Sequence, residues 1–428
     1  MPRRVDKVTN LAVSARHVRT RNIKAAKTFF VVILIAAAFL GGFAIRGNET
    51  LLAKVGLTQF VSSTEAANAS TSTSTTYNSV SARLSEVENV ITNDSLDSYD
   101  LDTATGKVLD AFAQSTQDSY LRYYDVSRYA SMNNSSSATG GGIGVLFSEY
   151  NGSAYAVDVF EGSPAQLAGV QTNDVVVAID GDRAHQWTAS EVASALKRDE
   201  GQQVVVTWRR GSTLDDTKGT EFTTTLTCTT STEANVTYEL SDAVGYIRVK
   251  QLTQNAATFV RRAISDLDAQ GAQSYVLDLR DNPGGYLTQA VDISSLFVKS
   301  GTIVRIRTKT ADETTKNASG DIATEKPLVV LVNGNTSSSA EVIAAALQDN
   351  QRATIVGQKT LGKGSVQVTH DLTFGGALRY TAAYYKSPLD HAIDGYGINP
   401  DIVVGSSGDD TDSQKEFAIE TAQSLVSE

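Results

Sequence analysis

Short, mostly apolar runs between residues 235 and 404 constrain the fold of this chain more than any other feature. The runs VLDL, LVVLV and ATIV have the length and composition of buried strands, and amphipathic helix patterns such as 256–271 lie between such runs. Strands that alternate with helices predict a parallel or mixed sheet covered by helices. In such a sheet, reactive groups collect at the carboxyl ends of the strands, where helix N-termini point.

Each of the three apolar runs is followed by a segment rich in glycine, serine or lysine. These segments are RDNPGG (280–285), GNTSSSAE (334–341) and GQKTLGKGSVQ (357–367). A serine at a helix N-terminus lies beside unpaired backbone N–H groups, which favour an alkoxide and a neighbouring oxyanion. The pattern Ser338-x-x-Glu341 equally predicts a plain capping box. Taken alone, this segment therefore leaves both interpretations open.

The third segment contains a lysine between two glycines, Lys363. GQKTLGK fits the first seven positions of a phosphate-binding loop, but Gly364 stands where that loop needs Ser or Thr, and a strand pattern follows. A lysine that acts as a base must be neutral, so its pKa must fall from about 10.4 towards 7, at a cost of roughly 4–5 kcal/mol. Burial can supply that cost, whereas a solvated surface charge is the ordinary alternative.

The first segment contains the turn Pro283-Gly284-Gly285, whose backbone N–H groups a carbonyl oxygen can approach without side-chain hindrance. An ordinary glycine turn at the end of a strand is the alternative. A Ser-His-Asp triad is not favoured, because the chain has no G-x-S-x-G elbow.

The N-terminal region predicts attachment to a membrane. Eight Lys or Arg residues precede the run Thr28–Ile45, which has no charge for 18 residues. That length is close to the roughly 20 residues that cross a bilayer, and the basic flank predicts a cytoplasmic N-terminus. A cleaved signal peptide is the alternative, but the small residues at 36–38 lie inside the apolar run.

Composition limits the classes of partner and cofactor. The first 48 residues hold nine of the 37 Lys and Arg residues and one of the 48 Asp and Glu residues. Residues 49–428 therefore hold 28 basic and 47 acidic residues, a net charge of −19. A body this acidic argues against nucleic acid as a partner. Cys228 is the only cysteine, and the four histidines lack metal-ligand spacing, so neither a metal nor another cofactor is expected.

Taken together, the three segments resemble those of the carboxyl-terminal processing (tail-specific) serine proteases, which use a Ser-Lys dyad and carry an inserted PDZ domain. The family's nucleophile lies three residues before a glutamate, which selects Ser338. Its lysine lies 25 residues further on within T-x-G-K-G, which selects Lys363. A glutamine four residues later, Gln367, would orient the lysine. Ser337 and Ser339 remain alternatives for the nucleophile.

Other matches extend the resemblance over residues 82–404. The segment 280–285 matches the family motif LRxNPGG, so the oxyanion donors would be N–H groups of Gly284, Gly285 and Ser339. GYGINPD (395–401) resembles the closing GIxPD motif. The module of short strands over 142–228 resembles the PDZ domain. Its peptide-carboxylate loop would be the four residues Gly142, Ile143, Gly144 and Val145.

The resemblance implies a crotonase- or ClpP-like α/β protease core with an inserted β-rich PDZ domain, an N-terminal helical segment and one transmembrane helix. The predicted organisation is a cytoplasmic basic segment (1–27), an anchor (28–45), a Ser/Thr-rich linker (46–81), a helical region (82–135), the PDZ domain (140–230), the protease core (82–135 plus 235–404) and a tail (405–428) with one helix.

The function that follows is a membrane-anchored extracytoplasmic endopeptidase that recognises protein C-terminal tails, without a cofactor or metal. Its partners would be protein or peptide substrates and the membrane, with an activating adaptor or a homo-oligomer as further possibilities and signal transduction as a setting. The alternative is a catalytically silent PDZ receptor that binds peptides without cutting them.

Overall fold

The computed structural model describes residues 79–134, 142–230, 234–311, 313–405 and 412–426. None of the helices in these ranges combines the length and the apolar character needed to span a bilayer. The predicted basic segment, the Thr28–Ile45 anchor and nearly all of the linker lie outside the described residues. The chain divides into two compact units, Met1–Tyr99 and Asp100–Glu428.

Nine helices and sixteen strands occur in the described part of the chain. The helices are α1 (Val80–Asp94), α2 (Leu101–Gln114), α3 (Val126–Asn134), α4 (Pro164–Leu167), α5 (Ala189–Ala195), α6 (Ala256–Gln270), α7 (Leu287–Ser295), α8 (Ser339–Asp349) and α9 (Ser413–Ser424). The strands are β1 (Arg122–Tyr124), β2 (Val145–Tyr150), β3 (Ser153–Val159), β4 (Val175–Ile179), β5 (Gln203–Arg210), β6 (Thr220–Thr227), β7 (Val236–Ser241), β8 (Val244–Val249), β9 (Ser274–Asp278), β10 (Thr302–Thr308), β11 (Thr314–Asn317), β12 (Leu328–Val332), β13 (Thr354–Gly357), β14 (Ser365–Asp371), β15 (Ala377–Lys386) and β16 (Ile402–Val403).

A six-stranded sheet of order β16-β13-β12-β9-β8-β7 forms the centre of the second unit. All of its pairings are parallel except that between β7 and β8, as the alternation of strands and helices predicts. The strands β9, β12 and β13 are neighbours and point the same way. Their carboxyl ends therefore bring the three predicted segments to one edge of the sheet.

Helices cover both faces of this sheet, which explains why its central strand β12 is apolar throughout. Along β12, Val330 and Val332 pack into a core with α6, α7 and α8, whereas Val329 and Leu331 pack against α9 on the opposite face. Each fully buried side chain of this size contributes about 1.5–3 kcal/mol. The helix predicted within the C-terminal tail is therefore α9, and it packs against the central sheet as part of the core.

A second, antiparallel sheet has the order β1-β15-β10-β11, and β14 also pairs with β15. Its first strand corrects one prediction. The sequence pattern predicts helix through Tyr124, but residues 122–124 form β1 and pair with β15. The pairing places Tyr124 in the interior, fully buried. Tertiary packing of aromatic side chains on a sheet therefore outweighs the local helical period here.

The β-rich module is an antiparallel sheet of order β2-β3-β4-β5-β6 with α4 and α5 beside it. A hairpin turn at Asn151-Gly152 joins β2 to β3, and both turn residues have the positive φ that such a turn requires. Trp208 is fully buried in the core of this module. Among the described strands, β2 pairs only with β3, so it is an edge strand of this sheet.

Candidate active site

Ser338 immediately precedes α8 and adopts a backbone conformation that few side chains tolerate. Its φ is 57° and its ψ is −126°. Ser338 is partly exposed, whereas Ser337 and Ser339 are buried. A non-glycine residue held at positive φ needs support from its surroundings and often marks a functional site.

The hydrogen bonds distinguish the three serines. The Ser337 hydroxyl lies 3.4 Å from the hydroxyl of Ser148, and the Ser339 hydroxyl donates to the Gly285 carbonyl at 3.0 Å. Among the described residues, the Ser338 hydroxyl has no hydrogen bond to another side chain. Of the three hydroxyls, that of Ser338 is therefore the one without a side-chain or carbonyl partner in the described part of the chain.

The buried carboxylate of Glu341 joins the serine turn to the lysine loop. Its Oε2 accepts the backbone N–H groups of Ser338 and Lys363, at 2.9 and 2.8 Å. Its Oε1 accepts the N–H of Gly362 at 2.8 Å and the hydroxyl of Thr360. Burial raises the pKa of Glu341 to about 7, although all four donors oppose that shift. The half of the predicted capping box in which Glu341 accepts the Ser338 N–H is formed, and the same carboxylate holds the loop of Lys363 against Ser338.

The Lys363 side chain lies in a partly buried site with charges of both signs. Burial lowers the pKa of its ammonium, while the nearby Glu149 carboxylate opposes this shift. Its Nζ lies above the ring of Tyr120, 5.1 Å from the centroid. Within the described ranges, no hydrogen bond joins this ammonium to the Ser338 hydroxyl. The structure thus brings the two backbones together while the amine faces Tyr120.

Within the described residues, Gln367 makes no hydrogen bond to the Lys363 amine. Its Nε2 donates to the Ser365 hydroxyl at 3.0 Å and lies 3.5 Å from the Thr381 hydroxyl. Residues four apart share a face only within a regular strand, and Lys363 precedes β14, which begins at Ser365.

The glycine turn after β9 packs directly on the serine turn. A Cβ at Gly284 would lie 2.9 Å from the Ser339 nitrogen, which shows how closely the two backbones approach. The Gly284 N–H already donates to the Asn282 side chain at 2.8 Å. In the described part of the chain, the N–H groups of Gly285 and Ser339 have no hydrogen-bond partner. These two groups are therefore the free donors of the predicted oxyanion set.

Several residues of the site carry no local sequence signal. The Glu149 carboxylate, on β2, forms a buried ion pair with Arg379 on β15 and lies close enough to Lys363 to affect its charge. Tyr120 reaches the lysine from the loop before β1. The closing motif, which the sequence did single out, secures the lysine loop, since the Gly395 N–H donates to the Gly362 carbonyl at 2.8 Å. Only the tertiary fold brings these segments together.

A separate groove lies at the predicted peptide-carboxylate loop. A cavity of about 520 Å³ is lined by Gly142, Ile143, Gly144 and Val145, by the start of β2 and by one face of α5. The Ile143 side chain is buried in the module core, so this residue offers mainly its backbone. Gly144 has a φ of 75°, and a Cβ there would lie 2.2 Å from the Ser163 Cβ, so glycine is required.

The described residues contain no group of three or more His, Cys, Asp or Glu side chains that could hold a metal ion.

The sequence matches two protein-family models and several known relatives. The model of peptidase family S41 matches residues 243–404, and a PDZ domain model matches residues 155–210. The carboxyl-terminal-processing protease of Synechocystis sp. is 40% identical over 248 residues, which cover 57% of either protein. That of Picosynechococcus sp. is 35% identical over 316 residues, which cover 71% of this chain and 75% of the relative.

The fold agrees with a solved structure of the same kind. The photosystem II D1 C-terminal processing protease superposes with a TM-score of 0.62 at 26% identity, over 75% of this chain and 86% of that one. The chain thus matches little more than half of the Synechocystis relative and most of the other two proteins.

Proposed function

The chain belongs to peptidase family S41, a family of serine proteases with carboxyl-terminal-processing members, and from this membership we propose that it hydrolyses peptide bonds with a Ser338-Lys363 dyad. The observation that carries the proposal is the shared carboxylate oxygen of Glu341. It fixes the backbones of the serine and the lysine to one point, while the neighbouring serines are engaged elsewhere.

The chemistry follows from the positions of the donors. Ser338 attacks the scissile carbonyl, and the neutral Lys363 amine takes the hydroxyl proton and later returns it to the leaving amine. The N–H groups of Gly285 and Ser339 stabilise the oxyanion, and Gln367 acts on the lysine only after its amide leaves Ser365. Water then hydrolyses the acyl-enzyme. Removal of one oxyanion donor typically slows such a reaction by about 10²–10³.

We assign the groove at Gly142 to Val145 to substrate capture. An extended peptide would add to the open edge of β2, and its terminal carboxylate would meet the N–H groups of the glycine loop. The groove lies in the module matched by the PDZ model, and its size suits a few residues of an extended chain. Protein C-terminal tails are the substrates that this arrangement favours.

We also propose that residues 28–45 anchor the protein in the cell membrane, with the protease extracytoplasmic. The support is the basic flank and the uncharged 18-residue run. Protease protection in intact cells, with and without permeabilisation, tests the orientation. Digestion of the catalytic region in intact cells is expected, and its protection there would contradict the proposal.

The dyad is tested by cleavage of casein and of a tail peptide by the full chain in mild detergent. Ser338→Ala and Lys363→Ala are expected to abolish turnover, because each removes a group that forms or breaks a bond. Ser337→Ala is the matched control, since its hydroxyl contacts Ser148 and its loss leaves the Ser338 hydroxyl in place. Wild-type turnover in either dyad variant would refute the assignment.

One observation favours a second candidate, the catalytically silent peptide receptor. The Lys363 ammonium faces the Tyr120 ring and has no hydrogen bond to the Ser338 hydroxyl in the described part of the chain. Tail peptides that bind to the wild-type protein and are never cut, with or without an added partner protein, would support the receptor and exclude the protease.

A further inference from the structure

Tyr120 lies on a loop that is rigidly attached to the sheet beside the lysine. Its backbone N–H donates to the Asp118 carboxylate at 3.0 Å, and that carboxylate also accepts the N–H and the hydroxyl of Thr381 on β15, at 2.7 and 2.8 Å. Two residues later, Arg122 begins the pairing of β1 with β15. The Tyr120 ring is 8% exposed, so it has little freedom to leave this position.

The ring face of Tyr120 receives the Lys363 ammonium, with Nζ 5.1 Å from the centroid. Such a contact lies within the roughly 6 Å over which an aromatic quadrupole attracts a cation. The other charged groups that face the amine are Glu149 on β2, Glu341 on α8, Asp394 near the closing motif and Arg379 on β15. Three carboxylates and one guanidinium therefore surround the amine, and the aromatic ring lies among them.

We propose that Tyr120 is a positioning residue for the base of the dyad, whose ring face holds the protonated Lys363 amine and releases the neutral amine towards Ser338. The inference rests on the proposed Ser-Lys function. The quadrupole attracts an ammonium and has no comparable attraction for a neutral amine, so the contact stabilises the resting, protonated state selectively. Burial acts in the opposite direction, because it disfavours the ammonium.

The opposition of these two effects sets the pH at which the base becomes available. Replacement of the aromatic ring by another apolar side chain removes the cation–π attraction for the Lys363 ammonium, while water remains excluded from the site. The midpoint of Lys363 deprotonation then falls. A desolvated cation–π contact of ordinary strength corresponds to about one pH unit.

The test replaces Tyr120 by phenylalanine, then by phenylalanines with one, two and three ring fluorines, and separately by leucine. Fluorine withdraws electron density from the ring face and leaves its shape almost unchanged, so these variants should fold even if Tyr120→Leu does not. The first readout is the rate of Lys363 acetylation by acetic anhydride across pH, resolved by peptide mass spectrometry in a Ser338→Ala background. The second is the acid limb of the pH profile of kcat/KM in the Ser338 protein.

Tyr120→Phe is expected to keep the wild-type midpoint in both readouts. Each added fluorine should lower the midpoint, to about one pH unit below wild type for the most fluorinated ring and for Tyr120→Leu. A midpoint of Lys363 deprotonation that is unchanged by fluorination, or that rises with it, overturns the inference. Because labelling requires no turnover, a fluorine-dependent labelling midpoint in a protein that never cleaves peptide would support the positioning contact and refute the proposed protease function.

Discussion

The close contact between the glycine turn and the serine turn gives the sharpest prediction, made with Gly284→Ala. Gly284 has a φ of 87°, and a Cβ there would lie 2.8 Å from the Ser339 Oγ, 2.9 Å from the Ser339 nitrogen and 2.9 Å from the Ser337 carbonyl oxygen. Real Cβ atoms do not approach backbone this closely, so one of the two turns must move. Either displacement changes the distance between the donors at Gly285 and Ser339.

Two separable costs are expected in this variant. An alanine at positive φ costs about 1–2 kcal/mol of folding free energy by itself. Gly201→Ala is the matched control for that cost, because Gly201 has a φ of 85° and its added Cβ would meet nothing within 4 Å. The displacement of an oxyanion donor adds a loss of about 10²–10³ in kcat. That second loss should occur in Gly284→Ala alone.

Urea unfolding and kcat for a tail peptide measure the two costs separately. Both variants should lose similar conformational stability, with a further loss in Gly284→Ala from the steric overlap. Equal kcat values for the two variants, at a temperature where both are folded, would refute the placement of this turn at the reacting carbonyl.

Three other predictions concern charged groups. Burial raises the pKa of Glu341 to about 7, so the native state holds its proton more tightly than the unfolded state. Stability should therefore fall by about 3 kcal/mol as pH rises from 4.5 to 7, and Glu341→Gln should remove this slope in urea titrations at several pH values. Glu149→Gln leaves the buried Arg379 unpaired and should cost about 3–5 kcal/mol in urea unfolding. Partial burial of Asp412 favours its neutral form and so raises its pKa. The Arg280 guanidinium outweighs this burial and holds the pKa of Asp412 below its ordinary value. The stability that this pair adds is present at neutral pH and lost in acid, so Asp412→Asn should cost about 1 kcal/mol at pH 7 and less at low pH in thermal unfolding.

One control variant serves all three predictions, and each prediction has its own contradicting result. Glu420→Gln changes the same chemistry at an exposed position and should leave unfolding nearly unchanged. A pH slope that persists in Glu341→Gln would assign the titration to another group. A Glu149→Gln protein as stable as the control would contradict the buried ion pair. A cost of Asp412→Asn that is independent of pH would mean that helix capping, and not charge, explains it.

Patterns along the chain were enough to predict the order of most elements and the place of the chemistry. Apolar runs, glycine turns and capping patterns are local signals, because they depend on residues a few positions apart. They predicted that the ends of β9, β12 and β13 carry reactive segments, and the parallel sheet brings those ends to one edge. The same signals failed at residues 122–124, where pairing with a distant strand replaced the expected helix.

Which atoms meet at that edge depends on how the remote elements pack in the tertiary structure. It distinguished Ser338 from its neighbours through a positive φ and through partners on other segments. It engaged the Gln367 amide with the Ser365 hydroxyl, and it brought Tyr120 and Glu149 to the lysine from elsewhere in the chain. Such contacts depend on how remote elements pack, and no pattern of neighbouring residues encodes them.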